Sequence, residues 1–280
     1  MEGRNMQVQS KQMNILIILS VALAAAVAVA SYFGIFISGT YERETASLAA
    51  QGVGQDIVNL FLAVPLLILS LIFMLRECRF AFFIYGGTVF YILYSYVIYS
   101  LGIHFNSLFL LYCIILGLSI YSFILIVHEL GTRDVKGWFN NKMPVRATGV
   151  YLLFVSVMFY FLWLKEIIPA VLNNTVPKSV SDYKLLVNPV HVIDIAFVLP
   201  GLIIIAILLL KKNRYGYILA PTALVFVIIL AAALAAMVLM VKIRDLSDEG
   251  SVAVIFVVLA VISAAFLFLF LKNLIKREEG

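Results

Sequence analysis

Apolar stretches close to twenty residues long recur along this chain, and nothing else limits its fold so strongly. On the sequence they cover about 13–37, 56–75, 80–103, 107–127, 147–168, 190–210, 215–241 and 251–271. A helix needs about 20 apolar residues to cross a hydrocarbon layer about 30 Å thick. With no water to satisfy the backbone, only helices and closed barrels can span lipid. The alternating pattern of barrel strands is missing from the sequence, so helices remain. Composition agrees: 64% hydrophobic and 12% charged residues leave too little polar surface for a water-soluble domain. The connections between runs are too short to fold separately. The expected fold class is all-α, a polytopic membrane bundle of eight transmembrane helices, with residues 1–280 forming a single integral membrane domain.

The basic residues assign direction. With eight spans both termini share one side, and that side carries 14 of the 20 Lys and Arg, from Arg4 and Lys11 through Arg133, Lys136, Arg146 and Lys212 to Lys276 and Arg277. The other side carries six: Arg43, Lys165, Lys178, Lys184, Lys242 and Arg244. Under the positive-inside rule the termini are expected in the cytoplasm. Orientation thus accounts for the net charge of +5. No basic cluster is interleaved with aromatic base-stacking partners, so no nucleic-acid partner is expected.

The first run, "ILSVALAAAVAVASYFG", follows Arg4 and Lys11 and has small residues near its end, which also suits a cleavable signal peptide. Its apolar character continues through "IFIS", so an uncleaved first span is expected. Cys78 and Cys113 lie at different depths and form no CxxC, which supports neither a redox pair nor a metal clip.

Shifting the chain by 135 residues lays "DIVNLFLAVPLLILSLIFMLRECR" (56–79) over "HVIDIAFVLPGLIIIAILLLKKNR" (191–214) without a gap. Asp56 then meets His191, Asn59 meets Asp194, and Pro65 meets Pro200. Aligned Leu and Ile carry no information, but an i, i+3 polar pair followed by proline does. The expectation is a parallel four-plus-four repeat, with half-repeats 1–135 and 136–280, related by an axis along the membrane normal. In "NPVHVIDIAFVLPG" (188–201), Asn188 reads as an N-cap and Pro189 as the first helical residue. Spans 2 and 6 are therefore expected to be interior helices with polar outer ends.

Charge at membrane depth costs at least about 2.5–3.5 kcal/mol on insertion scales, so such groups normally face protein or water. One layer near the outer surface collects them: Gln55, Asp56, Asn59, His104, Asn106, Glu166, His191 and Asp194. Thr88, Tyr91, Ser95 and Tyr99 climb toward it at helical spacing on span 3. The ligand-binding candidates are Asp56, Asn59, Tyr91, Tyr99, His104, Asn106, His191 and Asp194. If spans 2 and 6 meet, His104, His191 and Asp194 could hold a divalent metal, the one candidate cofactor. Interfacial capping and ordinary interhelical hydrogen bonding would use the same residue types. Trp163 is expected as an interfacial anchor, the stretch "LGTRDVKGWFNNKMPVR" (130–146) as an amphipathic surface segment, and span 8 as a lipid-facing helix.

The stretches "GQDIVNL", "YSYVIYSLGIHFNSLFLLY" and "NPVHVIDIAFVLPG…GYILAP" resemble a group of prokaryotic polytopic membrane proteins without an assigned activity, over roughly residues 50–225. The resemblance implies a bacterial or archaeal cytoplasmic membrane and implies no chemistry. Membrane ceramidase-like hydrolases carry a late His pair, whereas the last His here is His191, and disulfide-forming quinone enzymes need paired cysteines. Three functions fit: binding or transport of a small polar or amphipathic molecule through an outward-facing cavity; metal-dependent hydrolysis of a lipid or lipid-linked substrate in the outer leaflet; or a non-catalytic assembly role. The first is the leading expectation. Membrane lipid is the expected partner in each, with a small-molecule or lipid ligand in the first two.

Overall fold

The computed structural model describes residues 2–140, 142–247 and 250–275, with side chains described from residue 12 onward. Lys276 and Arg277, counted above on the terminal side, lie outside the described residues. Among the described residues, eight helices are long and apolar enough to span a membrane: Gln12–Phe36, Ala46–Leu75, Arg79–Leu101, Phe109–Thr132, Val145–Leu172, Pro189–Leu210, Arg214–Ile243 and Ser251–Leu271. They are numbered here as spans 1 to 8. The all-α polytopic bundle read from the sequence is the fold of the protein.

Most boundaries follow from local chemistry. Asn188 caps span 6, its side chain accepting from the Val190 N–H at 3.0 Å, and Asn213 caps span 7 through Tyr215 N–H in the same way. Span 2 begins ten residues before the apolar run. Thr45 accepts from the Leu48 N–H at 3.3 Å, and the weakly apolar stretch Ala46–Gln55 continues as helix. Its polar residues face protein, which removes the apolar signal without removing the helix.

Spans 3 and 7 cross at the centre. The central apolar window of span 3 is 72% buried and that of span 7 is 50%, against 39% and 33% for spans 2 and 6. Small residues permit this crossing: a Cβ on Gly87 would meet the Thr222 carbonyl at 2.6 Å, so only glycine lets the two backbones approach this closely. The expectation that spans 2 and 6 form the interior pair is therefore corrected. Each flanks the central pair and packs against it, and they are not partners of one another. Span 8 is 17% buried and lies at the periphery, packed on span 7.

Spans 2 and 6 each contain one π-helical turn, Asn59–Ala63 and Asp194–Val198. Each ends beside a proline, Pro65 or Pro200. Proline has no N–H, and its ring crowds the carbonyl four residues earlier. Widening the preceding turn relieves the clash, so Val64 N–H bonds Asn59 O and Leu199 N–H bonds Asp194 O, each spanning five residues. The same shift of 135 residues that aligns the sequences aligns these turns, and the α-helices after them, Val64–Leu75 and Leu199–Leu210. It also aligns the left-handed residues that end those helices, Glu77 at φ 56° and Lys212 at φ 55°.

At the terminal end, the 131–146 connection tucks under the bundle. Trp138 packs edge-on against Phe82 and Phe83 at 5.9 and 6.0 Å, and Ile275 N–H bonds Trp138 O at 2.8 Å. Arg133 pairs with Glu77 and with Glu129, both at 2.7 Å. Burial alone would lower its pKa, but the hydrogen bonds to Glu77 and Glu129 outweigh that and hold it above the usual arginine value.

Candidate functional site

The polar layer at the end of the bundle away from the termini divides into two sets. The first surrounds Asp56 on span 2, which is 1% exposed. Tyr41, in the loop between spans 1 and 2, donates its hydroxyl to Asp56 Oδ2. Tyr99 of span 3 donates to Oδ1 at 3.2 Å. One turn deeper, Tyr91 donates to Asn59 Oδ1 at 2.9 Å, and Gln55 Nε2 donates to Ser95 Oγ at 2.7 Å. Span 1 approaches through Gly34, where any Cβ would overlap the Asp56 carboxylate. Ser31 of span 1 faces the same carboxylate. Burial and the neighbouring Asp56 charge push the Tyr41 phenol well above its ordinary pKa, so it remains a protonated donor.

Two features set this chamber apart from ordinary interhelical bonding. Among the described residues, Asp56 forms no ion pair. Moreover, Asn59 Nδ2, Tyr96 OH and Ser31 Oγ are buried around it with no hydrogen bond of good geometry among the described residues, Asn59 and Ser31 meeting only the Asp56 carboxylate and Tyr96 only Ser31. Such groups are rare in folded proteins, because each costs about 1–3 kcal/mol when left unpaired. Turning over the Asn59 amide keeps its contact with Tyr91, now as acceptor, and presents the oxygen to the chamber instead.

The mouth of the chamber is narrow. A cavity of about 50 Å³ lies above it, lined by Tyr41, Glu44, Gln51, Gln55, Ser95 and Tyr99 among others. Glu44 takes the His104 backbone N–H at 2.6 Å and its ring Nδ1 at 2.8 Å. Arg43 donates to Phe105 O at 2.7 Å. The loop carrying Tyr41 is thus pinned to the connection between spans 3 and 4. Asn106 sits at the rim, where its side chain accepts from Leu108 N–H at 2.9 Å.

The second set surrounds Asp194 on span 6, which is 5% exposed. Trp163 Nε1 donates to Asp194 Oδ2 at 2.8 Å, so Trp163 is no interfacial anchor: it points inward onto a carboxylate. Its ring lies 4.8 Å from that of His191. Tyr94 of span 3 directs its hydroxyl toward the Asp194 carboxylate, although neither Asp194 Oδ1 nor His191 Nε2 has a hydrogen bond of good geometry among the described residues. The small void beside Asp194 is lined by apolar groups, including Val155, Phe226, Val227 and Leu230. On the lipid side of span 6, an apolar cavity of about 490 Å³ opens toward span 3, lined by Phe90, Tyr94, Val192 and Phe197 among others.

Of the residues named from the sequence, the structure brings Asp56, Asn59, Tyr91 and Tyr99 together. His104 and Asn106 lie at the rim of that group, and His191 with Asp194 forms a different one. The proposed convergence of His104, His191 and Asp194 on a metal is corrected: His104 is held by Glu44 and His191 packs on Trp163. Among the described residues no three His, Cys, Asp or Glu side chains are placed to share an ion. Spans 3 and 7 stand between the two acidic ends, so no shared pocket forms. Tyr41 and Glu44 were missed because they precede the apolar run, and only the early start of span 2 brings them over Asp56. Trp163 was missed because aromatic rings at a span end usually signal headgroups.

Eight spans around these buried polar sets define a multi-pass integral membrane protein. No protein-family model, curated protein or solved structure matches the chain.

Proposed function

We propose that the protein binds a small cation, or a small positively charged polar solute, in the Asp56 chamber and carries it across the membrane. One observation carries this reading. A carboxylate is buried in the bundle with hydroxyls and amides around it and no basic side chain in ion-pair range among the described residues. Burying such a charge alone is prohibitively costly, so a proton or another cation must accompany it. The Asp56 oxygens, a turned Asn59 amide and the Ser31 hydroxyl are hard oxygen donors suited to an alkali cation, a proton or an ammonium group.

The backbone supports the same reading. Matched π turns at matched positions are consistent with a duplicated four-helix unit, and transporter sites commonly form where broken helices of related halves face a shared core. The positive-inside charge distribution would open the chamber mouth at Tyr41 to the outside of a cytoplasmic membrane. The apolar cavity beside Tyr94 would admit the hydrocarbon part of an amphipathic ligand. A metal-dependent hydrolase has no comparable support, since no three-ligand set is assembled among the described residues.

The test uses purified full-length protein in liposomes containing an entrapped pH indicator, with Na⁺, K⁺ or methylammonium gradients imposed in turn. The expected result is a flux from at least one gradient that Asp56→Asn reduces at least about tenfold, equivalent to about 1.4 kcal/mol. Asp194→Asn should retain most of it. Equal flux in Asp56→Asn and wild type, or none with any of the three probes, would overturn the proposal.

A further inference from the structure

The terminal end of the bundle holds a cavity of about 860 Å³, between the 131–146 connection, the start of span 5, the end of span 6 and the start of span 7. Phe139, Met143, Leu210 and Tyr217 give it apolar walls, and its charged lining is Lys136, Arg146 and Lys212, with no carboxylate among the lining residues. None of the three cations forms an ion pair among the described residues, although Lys136 Nζ lies 5.9 Å from the Tyr217 ring centre. Three arginines on this face are engaged instead: Arg133 by Glu77 and Glu129, Arg79 by Ile275 O, and Arg214 by the carbonyls of Gly131 and Arg133.

Comparison within the fold emphasises the contrast. Lys212 occupies the left-handed position that Glu77 holds in the first half. Glu77 is neutralised by Arg133 at 2.7 Å, whereas Lys212 faces a cavity that already contains two more positive charges. Like charges gathered without a counter-ion repel, and an anion would relieve that repulsion. The walls restrict its kind. A free inorganic anion gains nothing from Phe139, Met143 and Leu210, but a phosphate attached to a glycerol and acyl chains uses both linings. Basic pockets between helix ends on the cytoplasmic side are suited to this chemistry.

We infer that this cavity binds the headgroup phosphate of an anionic phospholipid from the leaflet on the terminal side. Lys136, Arg146 and Lys212 hold the phosphate oxygens, and the apolar walls cover the glycerol and upper acyl segments.

The experiment counts lipids bound to purified full-length protein by native mass spectrometry, during titration with phosphatidylglycerol, phosphatidylcholine or inorganic phosphate. Wild type should retain phosphatidylglycerol in preference to phosphatidylcholine. The variant Lys136→Gln/Arg146→Gln/Lys212→Gln should bind it roughly a hundredfold more weakly, at about fivefold per basic group near an anionic surface. The opposite-face control Lys165→Gln/Lys178→Gln/Lys184→Gln should bind it as wild type does. If the triple variant does not fold, Arg146→Gln and Lys212→Gln are read singly, each expected to lose roughly fivefold. Undiminished phosphatidylglycerol binding in these variants would overturn the site. Equal loss in the control would also overturn it, and displacement of the lipid by millimolar inorganic phosphate would overturn the lipid assignment.

Discussion

Asp56 and Asp194 sit in spans 2 and 6 on the side of the bundle away from the termini, beside π turns of the same form, yet their surroundings differ in character. Around Asp56, span 3 presents Tyr91, Ser95 and Tyr99, all hydrogen-bonded within the chamber. Under the shift of 135 residues these positions become Phe226, Leu230 and Leu234 on span 7, which line the void beside Asp194. The backbone turn has the same form in both, while the span 7 positions that match the chamber hydroxyls are apolar. A carboxylate at a helix break is therefore insufficient to make a polar chamber; the facing helix must supply the hydroxyls. At Asp194 the donors are the Trp163 N–H and, less well aligned, the Tyr94 hydroxyl.

The largest test of this contrast removes the carboxylates. Asp56→Leu would orphan the Tyr41 hydroxyl, leave Tyr99 only its 3.3 Å bond to Gly52 O and remove the partner of Ser31 and Asn59, and at about 1–3 kcal/mol for each buried orphan the loss should reach several kcal/mol. Asp194→Leu would orphan the Trp163 N–H and remove the weaker contact with the Tyr94 hydroxyl, so it should cost about 1–3 kcal/mol. Chemical unfolding in detergent, followed by Trp fluorescence, measures both. A larger loss for Asp194→Leu would break the comparison.

The facing helices give a smaller pair of effects with opposite signs. Tyr91→Phe removes the donor to Asn59 Oδ1 and should destabilise by about 1–3 kcal/mol. Phe226→Tyr places a further hydroxyl in the void beside Asp194 Oδ1, which lacks a well-aligned donor, and one new hydrogen bond should stabilise by about 1 kcal/mol. Thermal unfolding of the two variants checks the signs. If both destabilise equally, the second half is packed too tightly to regain polar chemistry.

Alkaline pH offers a third handle, through Tyr41 in the loop. Burial and Asp56 raise its pKa in the folded chain, while the unfolded chain releases that proton near the ordinary tyrosine value of about 10. The folded state therefore binds more protons above that pH, and stability must fall as pH rises. The contribution is complete below about pH 10 and is lost as pH approaches the folded pKa. Tyr41→Phe should be less stable than wild type at pH 8 and should lose less on going to pH 11. Parallel losses would show that Tyr41 does not hold its proton in the folded chain.

How far the sequence revealed this arrangement depends on which physical signal each residue leaves. Run length and hydropathy are local, so all eight spans were legible, as were the Asn188 cap and the proline-centred match of spans 2 and 6. Span 2 concealed its first ten residues because a helix facing polar partners carries no apolar signature. Partner choice is not local. Nothing near Trp163 in the chain says that its indole turns toward Asp194, and nothing near Glu44 says that it takes His104. The error that mattered concerned the centre. Two polar-tipped helices suggested a meeting point, while the small residues that set helix approach, Gly87 opposite Thr222 and Val225, placed spans 3 and 7 there instead.

The smallest expected effect addresses what the halves have in common. Pro65 and Pro200 impose the wider turns, and replacing either with alanine restores one N–H and permits an ordinary α-helical turn to form. If the two π turns are the same backbone device, Pro65→Ala and Pro200→Ala should change stability by similar amounts, within about 1 kcal/mol of each other, since a typical added hydrogen bond contributes about 0.5–1.5 kcal/mol. Their consequences should diverge only where side chains differ. Closing the turn before Pro65 re-aims Asn59 relative to Tyr91 and should reduce Asp56-dependent flux, whereas closing the turn before Pro200 moves Asp194 within an apolar void and should leave that flux unchanged. Paired thermal unfolding and liposome flux measurements on the two variants separate backbone from side chain. Matched stability with mismatched flux is the expected signature of a shared scaffold carrying one polar site.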